Sequence, residues 1–250
     1  MTMGLSILLV RLLHREPYGK LTIVQSTIGL IGTFAGVGMG ETAIKYLAEF
    51  RDKDRARAGR IVTIVNLMAA SFGTAMSVAA FLLSGYLASH VLNDAQLAPL
   101  LKIAALLPLI ATLDGIQIST LNGLEAFRLI ARRSAWGAAA ALPISAVLVY
   151  VWGLRGAVLA QVVAAAVNLL LSATASIAEL RRQGISWRLG NGALTEWRVL
   201  YRYSLPALAA SLMVAPVYWL ANVMVFRGHN GAAEVAAVGV VNSIMTIVAY

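Results

Sequence analysis

Long apolar runs alternate with short polar connectors along this chain, and the length of the runs is the signal. Six runs cover residues 21–46, 61–83, 100–121, 134–152, 156–178 and 204–226. Hydrocarbon offers a backbone N–H or C=O no hydrogen-bond partner, so a crossing segment must be a helix of roughly 20 apolar residues. Two shorter apolar stretches, 1–13 and 235–250, flank the six. Leu, Ala, Val and Ile occur on every face of the runs, as helices surrounded by lipid and by one another require. Strands of a membrane barrel would instead alternate over segments of about ten residues. The pattern predicts an all-α, polytopic transmembrane helix bundle. The first stretch is too short to span and the last is interrupted, so the sequence is expected to be a piece of a longer protein.

Composition agrees: 60% of residues are apolar and 12% charged, where a soluble domain has about a quarter charged. The net charge of +9 suggests nucleic acid until the charges are placed. Lys45, Arg51, Lys53, Arg55, Arg57 and Arg60 form one basic connector. Arg128, Arg132 and Arg133 form a second. Arg181, Arg182, Arg188, Arg198 and Arg202 form a third. Arg11, Arg15, Lys20, Lys102, Arg155 and Arg227 lie on the other side. Such an imbalance between alternate connectors is a topology signal, with the heavy side cytoplasmic, and no nucleic-acid partner is expected.

Little of the remaining chemistry suggests an enzyme. The chain has no cysteine, which excludes disulfides, thiolate-ligated zinc and thiolate catalysis. His14, His90 and His229 fall in separate outer connectors without an HExxH pattern, so no metal or cofactor is expected. Asp52-x-Asp54 has the spacing of metal-binding carboxylates in some sugar transferases, yet Lys53 and neighbouring arginines make it a solvated connector. There is no GxSxG and no phosphate loop.

Polar residues within the runs are the candidate sites. Gly32, Gly36 and Gly40 stand four apart, with Gly29 and Gly38 nearby. That spacing lets helices approach closely, and it also loosens a helix that must move. Asp114 lies well inside a run, and a mid-bilayer charge costs roughly 2.5–3.5 kcal/mol unless it faces the bundle interior. It could couple to a cation or proton, or pair with a neighbouring helix. Glu41 and Lys45 stand four apart and could pair. Asn66, Gln161, Asn168, Asn222 and Asn242 are expected to hydrogen-bond between helices. Pro108, Pro143, Pro206 and Pro216 should kink or start helices. Tyr218 and Trp219 either pack or line a cavity.

One set of short patterns resembles a known family. Arg11-Leu12-Leu13-His14-Arg15-Glu16-Pro17-Tyr18-Gly19 is similar to the outer turn after the first helix of the oligosaccharide flippases. These are the Wzx-like polysaccharide transporters of the multidrug/oligosaccharidyl-lipid/polysaccharide exporter superfamily. Gly38-Met39-Gly40 with Lys45-Tyr46-Leu47-Ala48-Glu49 resembles the end of the family's glycine-rich second helix. Leu121-Asn122-Gly123-Leu124 with Phe127-Arg128 resembles the connector after helix four. Gly153 to Ala160 resembles the tight outer turn before helix six. Arg202-Tyr203-Ser204-Leu205-Pro206 and Val238-Gly239-Val240 resemble the starts of helices seven and eight. His14 and Arg15 depart from the Gly and Pro common in the first turn, and Asn222-Val223 replaces an acidic-basic pair of helix seven.

The resemblance implies two six-helix lobes facing a central cavity. Residues 1–203 would be the first lobe, with its first helix in part, and 204–250 the start of the second. It implies a flippase, not an enzyme, moving a polyprenyl-diphosphate-linked oligosaccharide across the cytoplasmic membrane by alternating access. Arg11 and Lys45 would face the diphosphate, and Asp114 would couple an ion. The alternatives are a cation-coupled multidrug exporter of the same superfamily and a membrane-embedded enzyme of polysaccharide assembly.

Overall fold

The computed structural model describes residues 13–36, 38–185, 215–228 and 231–248, with side chains as far as Val241. All regular elements among the described residues are helical. Helices α1 (Arg15–Ala35) and α2 (Met39–Phe50) follow one another across a 45° bend. Helix α3 (Arg55–Tyr86), lengthened by a π-turn at Leu87–Val91, runs back. A short 3-10 turn leads into α4 (Ala98–Ala104) and α5 (Leu107–Gly123). The stretch Phe127–Arg182 is two helices, because Gly153 has φ 54° and ψ −129°, a conformation that side chains with a Cβ resist. They are α6 (127–152) and α7 (154–182). Helices α8 (Ala215–Phe226) and α9 (Gly231–Val248) complete the set.

Helices α6 and α7 fold back on one another about Gly153. A Cβ built on Gly156 would lie 1.8 Å from the Leu148 carbonyl oxygen, and one on Gly137 would lie 2.1 Å from Asn168 Oδ1. Only glycine permits the approach at 156, where the obstacle is backbone; at 137 the Asn168 side chain would have to move. The sequence expectation of a tight turn at 153–160 is met, with one helix on either side of it.

The connectors gather at two opposite ends. At one end Arg51 Nη2 meets Glu125 Oε1 at 2.8 Å and Gln183 Nε2 donates to the Leu124 carbonyl at 3.5 Å. The hydrogen bond to Glu125 raises the Arg51 guanidinium above its ordinary value against the opposing effect of desolvation. At the other end Lys20 Nζ lies 3.1 Å from Asp94 Oδ2. There Arg227 Nε and Nη2 donate to the Val91 and His90 carbonyls at 2.8 and 2.7 Å. The first end carries the arginine-rich connectors and is the one that the positive-inside rule expects at the cytoplasm; it is called the cytoplasmic end below. The side surface between the two ends is apolar: Leu67, Phe72, Phe81, Leu82, Val147 and Leu170 are exposed.

Three expectations about the spans need correction. The run 21–46 is broken at Gly36–Gly38, where Gly38 takes φ 65°. The run 61–83 begins at Arg55, because the Asp54 side chain accepts the Arg57 amide at 2.9 Å and caps the helix. The run 100–121 is interrupted between Ala104 and Leu107, with Pro108 in the first turn of α5, where a missing N–H costs nothing. Pro143 neither starts nor breaks a helix: the non-helical residue in that stretch is Gly153.

Buried apolar side chains form an outer and an inner core. Leu21, Val24 and Ile28 of α1 pack near the outer end with Leu97, Leu101, Val149, Val158 and Val235. Met39, Ala43, Ile64, Val65 and Ile116 pack nearer the cytoplasmic end, and Leu47, Val62, Leu124, Leu180 and Ile185 close it. Between these cores the wall formed by α1, α2 and α5 is open.

Candidate functional site

That opening is a cavity of about 470 Å³. Gly29, Gly32 and Gly36 from α1 and its bend, Gly40 from α2 and Gly115 from α5 make much of its wall. Its polar lining is Gln25, Thr112, Ser119 and Gln161, and no described lining residue is charged. The Thr112 hydroxyl is taken up by the Pro108 carbonyl at 2.7 Å. Gln161 of α7 is different, since its Nε2 is buried without a hydrogen-bond partner. An orphaned donor at a cavity wall costs about 1–3 kcal/mol, which a bound acceptor would recover.

The glycines therefore do something other than what their spacing alone suggests. A Cβ built on Gly29, Gly32 or Gly115 would meet no heavy atom within 4 Å. They do not admit a neighbouring helix; they keep space empty. Gly40 differs, with Ser119 Oγ 2.7 Å from a built Cβ. Close helix approach is found instead at Gly19, whose Cβ would lie 1.6 Å from the Ala232 carbonyl oxygen, and at Gly239 against Thr22. These contacts join α1 to α9, and both helices start at the outer end.

Asp114 lies outside the cavity lining. Arg133 Nη2 of α6 pairs with its Oδ2, and Ser172 Oγ of α7 donates to Oδ1 at 2.5 Å. One turn further along α5, Gln117 Nε2 donates to Asn66 Oδ1 at 2.7 Å, and Ser176 Oγ donates to Gln117 Oε1 at 2.5 Å. Asp114 and Gln117 are three apart, Ser172 and Ser176 four apart, so each pair shares a helix face. The result is a polar ladder tying α3, α5, α6 and α7. Sequence reasoning singled out Asp114 and Asn66 but missed Arg133 and the serines. Hairpin arithmetic could have found Arg133: it lies eight residues after the turn at Glu125, and Asp114 eleven before.

The other candidates are dispersed. Lys45 is exposed on α2, with Nζ 5.5 Å from the Tyr46 ring centroid, and is not among the cavity residues. Arg11, Pro206 and His229 lie outside the described residues, as does the side chain of Asn242. Asn168 and Asn222 bond within their own helices, to the Ala164 and Tyr218 carbonyls at 2.9 Å, where bonds between helices were expected. Trp219 packs: its Nε1 donates to Thr27 Oγ1 at 3.1 Å.

Helices of this length and polarity, with charged connectors sorted to two ends and a cavity between them, define a multi-pass membrane protein of transporter fold. An inward-facing multidrug resistance MATE family transporter of the MOP superfamily superposes with a TM-score of 0.71 at 15% identity, over 94% of this chain and 57% of that one. The chain belongs to the polysaccharide biosynthesis protein family, which matches residues 1–249. It is similar to the EPS I polysaccharide export inner membrane protein EpsE of Ralstonia nicotianae (strain ATCC BAA-1114 / GMI1000). The two are 25% identical over an alignment of 247 positions that covers 92% of this chain and 52% of the relative. The chain thus spans about half the length of the curated relative it matches.

Proposed function

We propose that the protein moves a lipid-linked oligosaccharide across the cytoplasmic membrane for the assembly of a surface polysaccharide. Residues 1–203 would form the first lobe of a two-lobed transporter and 204–250 the beginning of the second. A large polar sugar cannot shed its water in hydrocarbon without several kcal/mol of loss per unpaired group. A cavity between lobes that opens to each side in turn removes that barrier. The observation that carries this reading is the open, uncharged cavity between the outer and inner cores. Family membership and the export function in the name of the relative support it.

The diphosphate of the carrier would be met by basic side chains. Lys45 lies about 7.5 Å along α2 from the cavity residue Gly40, on the cytoplasmic half, and with Arg11 it is assigned that part. Of the two roles open to Asp114, the geometry favours the structural one, because Arg133 and Ser172 occupy both of its oxygens.

The test is transfer of a fluorescent polyprenyl-diphosphate oligosaccharide between leaflets of vesicles carrying the protein. Transfer is expected, and Lys45→Ala should slow it while membrane insertion is unchanged. Equal rates in the two proteins would remove Lys45 from the scheme. Uptake of cationic dyes without sugar-lipid transfer would favour the exporter reading.

A further inference from the structure

Helix α6 contributes nothing to the cavity wall, yet its outward face is chemically ordered from end to end. Phe127 and Trp136 are 62% and 64% exposed, and Arg128 and Arg132 between them are exposed as well. Arg128, Arg132 and Trp136 follow at intervals of four, so they form one stripe along the helix. Above Trp136 the exposed face is apolar, through Pro143 and Val147 to Tyr150 and Trp152. Trp136 and Trp152 are separated by about 24 Å along the axis. That spacing is slightly less than the thickness of the hydrocarbon layer, which is where aromatic belts sit. Arg132 and Arg128 therefore fall about 6 and 12 Å on the cytoplasmic side of Trp136, at the depth of lipid phosphates.

Their neighbour Arg133 shows what an arginine here does when the protein supplies a partner: it turns inward to Asp114. Arg128 and Arg132 have no ion pair or hydrogen-bond partner among the described residues. Two unneutralised guanidinium groups beside an indole, at phosphate depth, match a negatively charged headgroup with its acyl chains lying against the apolar face above. Guanidinium binds phosphate oxygens in a bidentate fork, which gives it more specificity than a lone point charge.

We infer that the stripe Arg128, Arg132 and Trp136 of α6 is a binding site for one anionic phospholipid of the cytoplasmic leaflet. The site is independent of the transported substrate and anchors the α6–α7 hairpin at a fixed depth.

The test uses the whole protein in phosphatidylcholine vesicles containing, at equal mole fraction, either brominated phosphatidylglycerol or brominated phosphatidylcholine. Bromine quenches nearby tryptophan, and the part of the quenching that disappears in Trp136→Phe reports this site. Brominated phosphatidylglycerol should be enriched there by about fivefold per arginine. The double variant Arg128→Gln/Arg132→Gln should lose the preference, and Arg128→Lys/Arg132→Lys should keep part of it. Quenching of Trp136 by brominated phosphatidylcholine should be the same in all variants, which shows that α6 is inserted as before. Equal quenching by the two lipids in the unaltered protein would overturn the inference. Preference that survives in the glutamine variant would overturn it too.

Discussion

Filling the glycine-walled cavity separates stability from transport in a way that few substitutions can. Consider Gly29→Leu with Gly115→Leu. Both glycines lie inside helices, on facing walls of the cavity, and nothing stands within 4 Å of either built Cβ. The new side chains therefore meet empty space in place of a neighbour. Glycine inside a helix is less favourable than leucine by about 0.6–0.8 kcal/mol, so the pair should stabilise the folded protein by about 1.5 kcal/mol. At about 2–4 °C per kcal/mol, thermal unfolding in detergent should shift upward by a few degrees. The two isobutyl groups meanwhile occupy the about 470 Å³ cavity. Transfer of the sugar-lipid should drop about tenfold or more, equivalent to roughly 1.4 kcal/mol or more of lost affinity. Gly85→Leu is the control: its Cβ site is equally empty, but it lines no part of the cavity, so it should not affect transfer. A double variant that unfolds at a lower temperature would mean the glycines serve packing after all. One that transports normally would mean the cavity is not on the path.

Other predictions concern the scaffold. Asp114→Asn should lower stability by about 3 kcal/mol, because it leaves the Arg133 charge without its partner; Asp114→Leu with Arg133→Met should restore much of it, and thermal melts of the three proteins would decide. Gly19→Ala should abolish well-folded protein in size-exclusion profiles, since the new carbon would overlap the Ala232 carbonyl, whereas Gly32→Ala should be tolerated. Gly156→Ala should be as damaging as Gly19→Ala, because Leu148 O blocks the new methyl at the fold of the α6–α7 hairpin; an unaltered elution profile would refute that fold-back.

The helical class and the two-sided order of connectors were legible in the sequence because lipid imposes them residue by residue. Any apolar run of sufficient length must be helical there, and arginines sort to one side. The breaks were harder to read. Gly36, Gly38 and Gly153 look alike on paper, yet Gly153 turns the chain back while Gly36 and Gly38 only bend it. Which outcome follows depends on what packs beyond the break, and no local pattern records that. The same limit explains the misreading of the stripe Gly29, Gly32, Gly36. A small residue admits either a neighbour or a void, and the choice rests with α5, some 80 residues away in the chain. Asp114 stood out because an isolated charge in an apolar run is conspicuous. Arg133 did not, because it shares a connector with Arg128 and Arg132, and only the fold shows that one of the three turns inward.

The distribution of polar and small residues then divides the described lobe into a fixed and a yielding part. Asn66, Asp114, Gln117, Arg133, Ser172 and Ser176 tie α3, α5, α6 and α7 by hydrogen bonds that lipid cannot replace. Across the cavity the facing surfaces of α1 and α5 carry Gly29, Gly32 and Gly115 with open space before them, beside the polar side chains of Gln25, Thr112 and Ser119. Helix α1 is instead held at its outer half by apolar packing, and its cytoplasmic continuation α2 is reached through a bend at two glycines. A change in the width of the cavity costs least where contacts are fewest and the backbone is least restrained. On the transport reading proposed above, a change in cavity width would fall to the inner half of α1 above the Gly36–Gly38 bend, because α2 is packed on α5, where Ile44 and Leu47 crowd Gly123, and so stays with the frame that the Asp114 ladder ties.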